Sequence, residues 1–161
     1  MQPAEKPLSE PRVSVGQVVG LLEAVDEAGG TEDAARVARE GKLHADSIPM
    51  IIALAQQLQL VDVDDGDVIL RDHGRRVLAA TIRERKKVFR EVLNEQEWMK
   101  DVMRLAQSRG GTTDRSEVVA ALGAKHGAYH ADSLFTTAVY WGRYCGLLKY
   151  NSRSEQLHLV P

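Results

Sequence analysis

The sequence predicts a mainly α-helical protein with small β-hairpins, built from two copies of one structural unit. The tetrapeptide His-Ala-Asp-Ser occurs at residues 44–47 and 130–133, and a Gly-Gly-Thr triplet precedes each copy, at residues 29–31 and 110–112. Each tetrapeptide is followed by a mostly apolar run and then by a segment typical of a β-hairpin. Two motifs in the same order at corresponding positions indicate an internal duplication.

Length and composition are those of an ordinary globular protein. The 161 residues are enough for one compact domain or two small ones, and 43% hydrophobic with 27% charged residues argues against disorder. No apolar run approaches the roughly 18 residues that a bilayer requires, and no signal-peptide pattern is present. Cys145 is the only cysteine, which excludes a disulfide framework. We therefore expect a cytoplasmic protein with no membrane insertion.

The patterns divide the chain into four segments. Residues 1–12 hold three of the five prolines and no hydrophobic periodicity, as is typical of a flexible tail or linker. A first unit is predicted over residues 13–71, a linker helix over residues 72–93, and a second unit over residues 94–161.

The first unit is predicted to contain three helices and a hairpin. Ser14 is a plausible N-cap of the first helix, and Thr31 is placed to cap the second. A third helix is expected to begin at Asp46 or Ser47. Asp65-Gly66, between two β-rich runs, predicts a two-stranded hairpin. Three short helices followed by a two-stranded wing form the winged-helix order, so the sequence predicts two winged-helix units joined by a long helix.

The linker helix is the most basic part of the chain. Asp72 is expected to cap it, and Val77, Ile82 and Phe89 belong to its apolar stripe. Its basic stretch contains Arg83, Arg85, Lys86, Lys87 and Arg90. Three interpretations remain open for this stretch: a solvated helix face, a surface that docks an acidic partner such as an ATPase or a sister copy, and a contact with anionic lipid.

The second unit repeats these features with more aromatic residues. Asp114 is placed to cap a helix, with Glu117 three residues later completing a capping-box pattern. The second His-Ala-Asp-Ser is expected to open a helix that runs through Tyr144. Residues 151–154 are the predicted turn of the second hairpin.

Two segments resemble a known family. Residues 80–90 and residues 141–150, which begin Trp-Gly-Arg-Tyr, resemble signatures of the AAA-associated C-terminal domain, and residues 65–75 are also similar. That domain is appended to ATPase subunits of nitrate/sulfonate/bicarbonate-type ABC transporters. The resemblance runs from about residue 13 to residue 159 and implies a non-catalytic accessory module. Since no ATP-binding cassette precedes it here, we expect either a C-terminal piece of a larger protein or a separate small one.

The sequence gives little support for catalysis. It contains no P-loop pattern, and we expect no cofactor and no enzymatic activity. His126 and His130 have the spacing of metal ligands on a helix, but Gly127 lies between them and further ligands are missing. Cys145 has no neighbouring His or Lys and is expected to be a buried structural thiol.

DNA binding is the main alternative function, because winged helices commonly place their third helix in the major groove. Residues 47–60 contain no Lys or Arg, and the first hairpin contains four Asp. Residues 13–80 carry 12 acidic and 6 basic side chains, whereas residues 81–161 carry 9 and 13. The acidic first half should repel a polyanion, which makes DNA the less favoured partner.

The preferred function is a regulatory or protein-interaction module associated with an ABC transporter ATPase, which could also form a homodimer. The candidate partner-binding residues lie on the linker helix and on the last helix. They are Arg83, Arg85, Lys86, Lys87, Arg90, Tyr140, Trp141 and Arg143.

Overall fold

The computed structural model describes residues 13–40 and 43–161. The tail predicted over residues 1–12 lies outside the described residues. The chain separates into two compact units, one within residues 13–92 and the other within residues 93–161. Both are mainly helical, and each contains a small antiparallel sheet of three strands.

The first unit consists of helices around one three-stranded sheet. Its strands have the order β1-β3-β2, with β3 antiparallel to both neighbours. A short 3₁₀ turn at Ala45–Ser47 precedes its third helix. The elements are α1 (Val15–Glu27), β1 (Thr31–Asp33), α2 (Ala34–Glu40), α3 (Ile48–Gln57), β2 (Val61–Asp64), β3 (Asp67–Leu70), α4 (Asp72–Ala79) and α5 (Ile82–Asn94), which extends two residues beyond the unit.

The second unit has the same succession of helix, strand, two helices and two strands. Its sheet has the order β4-β6-β5, again antiparallel throughout. The elements are α6 (Glu97–Ser108), β4 (Thr112–Asp114), α7 (Arg115–His126), α8 (Ala128–Tyr144), β5 (Leu148–Asn151) and β6 (Gln156–Leu159).

The prediction that Thr31 caps a helix was wrong, because Thr31 begins a third strand. Gly29 and Gly30 have φ angles of 96° and 100°, a region that glycine adopts without a steric penalty. They redirect the chain so that β1 pairs with β3. The cap is supplied two residues later, where Asp33 Oδ1 accepts hydrogen bonds from the N–H groups of Ala35 and Arg36. The predicted two-stranded wing is therefore part of a three-stranded sheet.

The two His-Ala-Asp-Ser copies lie in different local structures. In the first copy, Ala45–Ser47 form the 3₁₀ turn before α3. The second copy lies inside α8, because Gly127, with a φ of 95°, starts that helix at Ala128. The helix therefore begins two residues before His130, which was expected to open it.

Two helix caps and one turn follow the sequence pattern. Ser14 forms a reciprocal capping box with Gln17 at the start of α1. Asp114 accepts from the Glu117 N–H at the start of α7, but the Glu117 carboxylate accepts from Arg109, so only half of the predicted box forms. Asp65 and Gly66 have φ angles of 51° and 83° and join β2 to β3. Two positive φ angles in a two-residue loop are typical of the type I′ turn that the Asp-Gly pair predicts.

Two glycines allow close packing within the units. A Cβ atom on Gly74 of α4 would meet the backbone oxygen of Leu60 and, at 2.8 Å, Leu70 Cδ1. A Cβ atom on Gly142 of α8 would lie 2.7 Å from Leu148 Cγ and 3.1 Å from Met99 Cε. Real Cβ atoms essentially never approach another atom within 3.0 Å, so the contacts of Gly74 with Leu60 and Leu70, and of Gly142 with Leu148, are closer than any other residue would allow.

We predict that Gly74→Ala lowers the free energy of unfolding by about 3 kcal/mol, because overpacking against a fixed backbone carbonyl cannot be relieved by a side-chain rotation. Gly142→Ala should lower the free energy of unfolding by a smaller amount, about 1–3 kcal/mol, because the side chains of Leu148 and Met99 can shift. Gly16→Ala is the matched control: its Cβ would meet only Ser14 Oγ, at 3.8 Å. Because Gly16 is an exposed position within α1 and alanine favours the helix, this substitution should raise the free energy of unfolding by up to about 1 kcal/mol. Chemical denaturation measures all three, and a neutral Gly74→Ala would contradict the packing.

Candidate protein-docking face

The predicted linker helix is two helices, α4 and α5, separated by an extended residue. Ala80 has a ψ angle of 150°, which ends α4. The Thr81 N–H donates to Glu84 Oε2, and the Glu84 N–H donates to Thr81 Oγ1, both at 3.3 Å. These two bonds form a capping box at the start of α5. The Thr-x-x-Glu spacing was visible in the sequence, so the break could have been predicted. Asp72 was also expected to be the N-cap of α4, but that position is occupied by Arg71.

One face of α5 is basic and its opposite face is buried. Each residue of an α-helix is rotated by about 100° around the helix axis relative to the one before it. Positions 83, 86, 87 and 90 therefore lie within a single sector that is about 100° wide. The side chains of Arg83, Lys86, Lys87 and Arg90 are exposed there. Buried on the other side are Val88, Phe89, Val92 and Leu93. We call the four cations the basic face.

Two acidic side chains on α5 are engaged by intramolecular bonds. Glu84 belongs to the capping box. Glu91 accepts from both terminal nitrogens of Arg76 on α4, at 2.9 and 3.2 Å. The hydrogen bond from Arg76 lowers the pKa of Glu91 below its usual range. The Arg76–Glu91 pair neutralises an acid next to the basic face and joins α5 to α4.

Arg85 does not belong to the basic face. Its Nε donates to the backbone oxygen of Val77 at 3.0 Å, and the residue is half-buried. This bond satisfies a carbonyl in the last turn of α4, which has no further helical partner. Arg85 therefore holds the α4–α5 junction through its Nε, and its contact with a partner stays a prediction.

Arg83 and Lys87 are the cations best placed for a partner. They are one helical turn apart and exposed, and neither forms an ion pair with any residue that the structure describes. Ile82, at the start of the same helix, is 76% exposed. An exposed isoleucine beside exposed cations is a combination that suits a protein surface carrying both acidic and apolar groups.

The aromatic candidates on α8 are largely structural. Trp141 is only 1% exposed and packs edge-on against Tyr140 and Tyr144, with ring centroids 5.7 and 6.3 Å apart. The prediction that Trp141 binds a partner was wrong, because its side chain is buried in the core. Tyr140 is half-buried and Arg143 is exposed. Cys145 is buried, as expected.

His126, whose spacing to His130 resembles that of metal ligands, lies in a cluster with Asp101 and Lys125. His126 Nε2 lies 3.1 Å from Asp101, which also accepts from Lys125 Nζ at 3.0 Å. Burial raises the pKa of Asp101, but the hydrogen bonds from Lys125 and His126 outweigh it and leave the pKa lowered. Within the described ranges 13–40 and 43–161, no group of three His, Cys, Asp or Glu side chains has the arrangement of a metal site.

The observed class is a mainly helical protein with two three-stranded antiparallel sheets and a basic helix face. Over the part of the chain that the structure describes, no helix is both long and apolar enough to cross a bilayer.

A family model described as the C-terminal AAA-associated domain matches residues 35–151, more than two thirds of the chain. The protein belongs to this family. The matched region includes the basic face and the Trp-Gly-Arg-Tyr block. No curated protein and no solved structure matches the chain.

We predict that Glu91→Gln weakens the α4–α5 connection in a pH-dependent way. A pKa that is lower in the folded state means that the ionised carboxylate stabilises the fold. This stabilisation is fully present above the pKa of the unfolded chain, near the ordinary value of 4.5, and is lost as the pH falls through the folded value. The difference in free energy of unfolding between wild type and variant should therefore shrink on acidification. A constant difference over the acidic range, measured by urea denaturation, would contradict the ion pair.

Proposed function

We propose that this protein is a non-catalytic interaction module that binds an ATPase subunit of an ABC transporter through the basic face of α5. The observation that carries the proposal is the arrangement of charge on this helix, where acids are engaged internally and cations remain exposed. The family description, an AAA-associated domain, supports an ATPase as the partner. We further propose that binding regulates the ATPase.

We propose that each unit is a winged helix and that the two form a tandem. The shared succession of elements and the equal strand orders β1-β3-β2 and β4-β6-β5 support this. In each unit the carbonyl of a residue in the hairpin turn accepts from the first residue of a helix: Gly66 O from Ala34 N, and Glu155 O from Arg115 N. Corresponding bonds at corresponding positions favour duplication of one unit.

The proposal of a non-catalytic role is supported by the environment of the Cys145 thiol. This thiol is buried, whereas a nucleophile must reach its substrate.

DNA binding remains the competing function, because winged helices commonly bind DNA and we propose that both units are winged helices. The third helices would enter the groove. Exposed residues of α3 are uncharged, and the β2–β3 hairpin beside it contains Asp62, Asp64, Asp65 and Asp67. Affinity for DNA depends on cations that neutralise phosphates, so these surfaces favour a protein partner.

The test is a pull-down of purified nitrate/sulfonate/bicarbonate-type ABC ATPase subunit with the immobilised chain. We expect binding that Arg83→Glu with Lys87→Glu weakens by about tenfold or more, because like charges then face an acidic surface. The matched control is Arg39→Glu with Lys149→Glu, which makes the same charge change on exposed positions of α2 and β5.

Circular dichroism checks that both variants are folded. Equal binding by the wild type and the α5 variant would reject the basic face as the docking site. Sub-micromolar binding to duplex DNA at low salt, without ATPase binding, would favour the competing function instead.

A further inference from the structure

The exposed side of α3 carries no charge. Pro49, Met50, Ala53, Gln56 and Gln57 are exposed, and Met50 is 37% exposed. Ile52 and Leu54 flank them and are half-buried. The helix is about 15 Å long. A mostly apolar helix surface of this length is suited to contact with another helix.

An acidic hairpin adjoins this helix, because α3 packs against β2. Asp62 is paired with Arg71, but Asp64, Asp65 and Asp67 form no ion pair with any described residue. Asp64 and Asp67 are directly opposite each other in the β2–β3 register. Like charges at opposed positions destabilise a sheet, so the fold gains nothing from these carboxylates.

The same chain contains a segment complementary to this surface. The basic face of α5 has Arg83 and Lys87 without ion pairs in the described part of the chain, and Ile82 exposed next to them. From Ile82 to Arg90 the helix is about 13 Å long, close to the length of α3. Cations would meet the three carboxylates, while Ile82 would meet an apolar group such as Met50.

We propose that the α3 helix and β2–β3 hairpin of one molecule bind the basic face of α5 of a second copy. Both surfaces belong to every chain, so a two-fold arrangement forms the contact twice and closes the assembly as a dimer. The dimer covers the face that the proposed function assigns to the ATPase. Dimerisation and ATPase binding therefore compete, and the test below uses this protein alone so that the two proposals fail separately.

The experiment is light scattering coupled to size exclusion over a range of concentrations. Wild type should approach twice the chain mass of 17.8 kDa as concentration rises. The first variant, Asp64→Lys with Asp67→Lys, gives the hairpin a positive charge that would repel the basic face of the second copy. The second variant, Arg83→Glu with Lys87→Glu, gives α5 a negative charge that would repel the acidic hairpin of the second copy. Each should weaken dimerisation by about tenfold or more. Asp64→Lys with Asp67→Lys keeps a like-charge pair across the two strands, so the hairpin's internal repulsion is unchanged.

Mixing the two variants gives the decisive result. The reversed hairpin of one variant now complements the reversed α5 of the other, so the mixture should form a heterodimer that neither variant forms alone. The control is Glu23→Lys with Asp26→Lys, which changes the same net charge on exposed α1 positions and should dimerise as wild type does.

A wild type that stays monomeric at all concentrations, or a mixture that fails to associate, would overturn the proposal. A monomeric wild type that still binds the ATPase through Arg83 and Lys87 would reject the dimer alone and leave the proposed function standing.

Discussion

Each unit depends on a short strand that joins its helices to its hairpin. In the first unit β1 follows the two glycines after α1 and pairs with β3, and Leu70 N–H donates to Gly30 O at 2.8 Å. In the second unit Leu159 N–H donates to Gly111 O at the same distance. These contacts join residues that are 40 positions apart in the first unit and 48 in the second. An isolated two-stranded hairpin is marginally stable, so the third strand and the helices behind it make each hairpin a fixed part of the fold.

The helices were predictable because their signals are local. Ser14 and Asp114 accept hydrogen bonds at helix starts, and Asp65-Gly66 forms the turn that its residue types favour. The strands β1 and β4 were missed because three residues are too few for a periodic pattern. Thr31 also has the residue type of an N-cap, and only pairing with the distant β3 decides its conformation.

The docking face was partly predictable for a similar reason. Net basic character is a property of composition, so the stretch containing Arg83 and Lys87 was identified. Which cations are used internally depends on tertiary structure: Arg85 reaches back to Val77 O, and Arg76 reaches forward to Glu91. Trp141 was misassigned because an aromatic residue on an amphipathic helix looks the same in sequence whether it faces a partner or the core. The neighbouring Gly142 allows Leu148 to pack closely against α8, and this contact indicates that Trp141 faces the core.

The bonds between hairpin turns and helix starts restrict how this chain can be engineered. Surface turns are normally the places where a protein accepts extra residues or an inserted tag. Here Gly66 O is the acceptor for the first N–H of α2, and Glu155 O is the acceptor for the first N–H of α7. Lengthening either turn would move that acceptor and leave a helix start without its bond. The two hairpin turns are therefore poor insertion points, and their lengths are set by the helices that they touch.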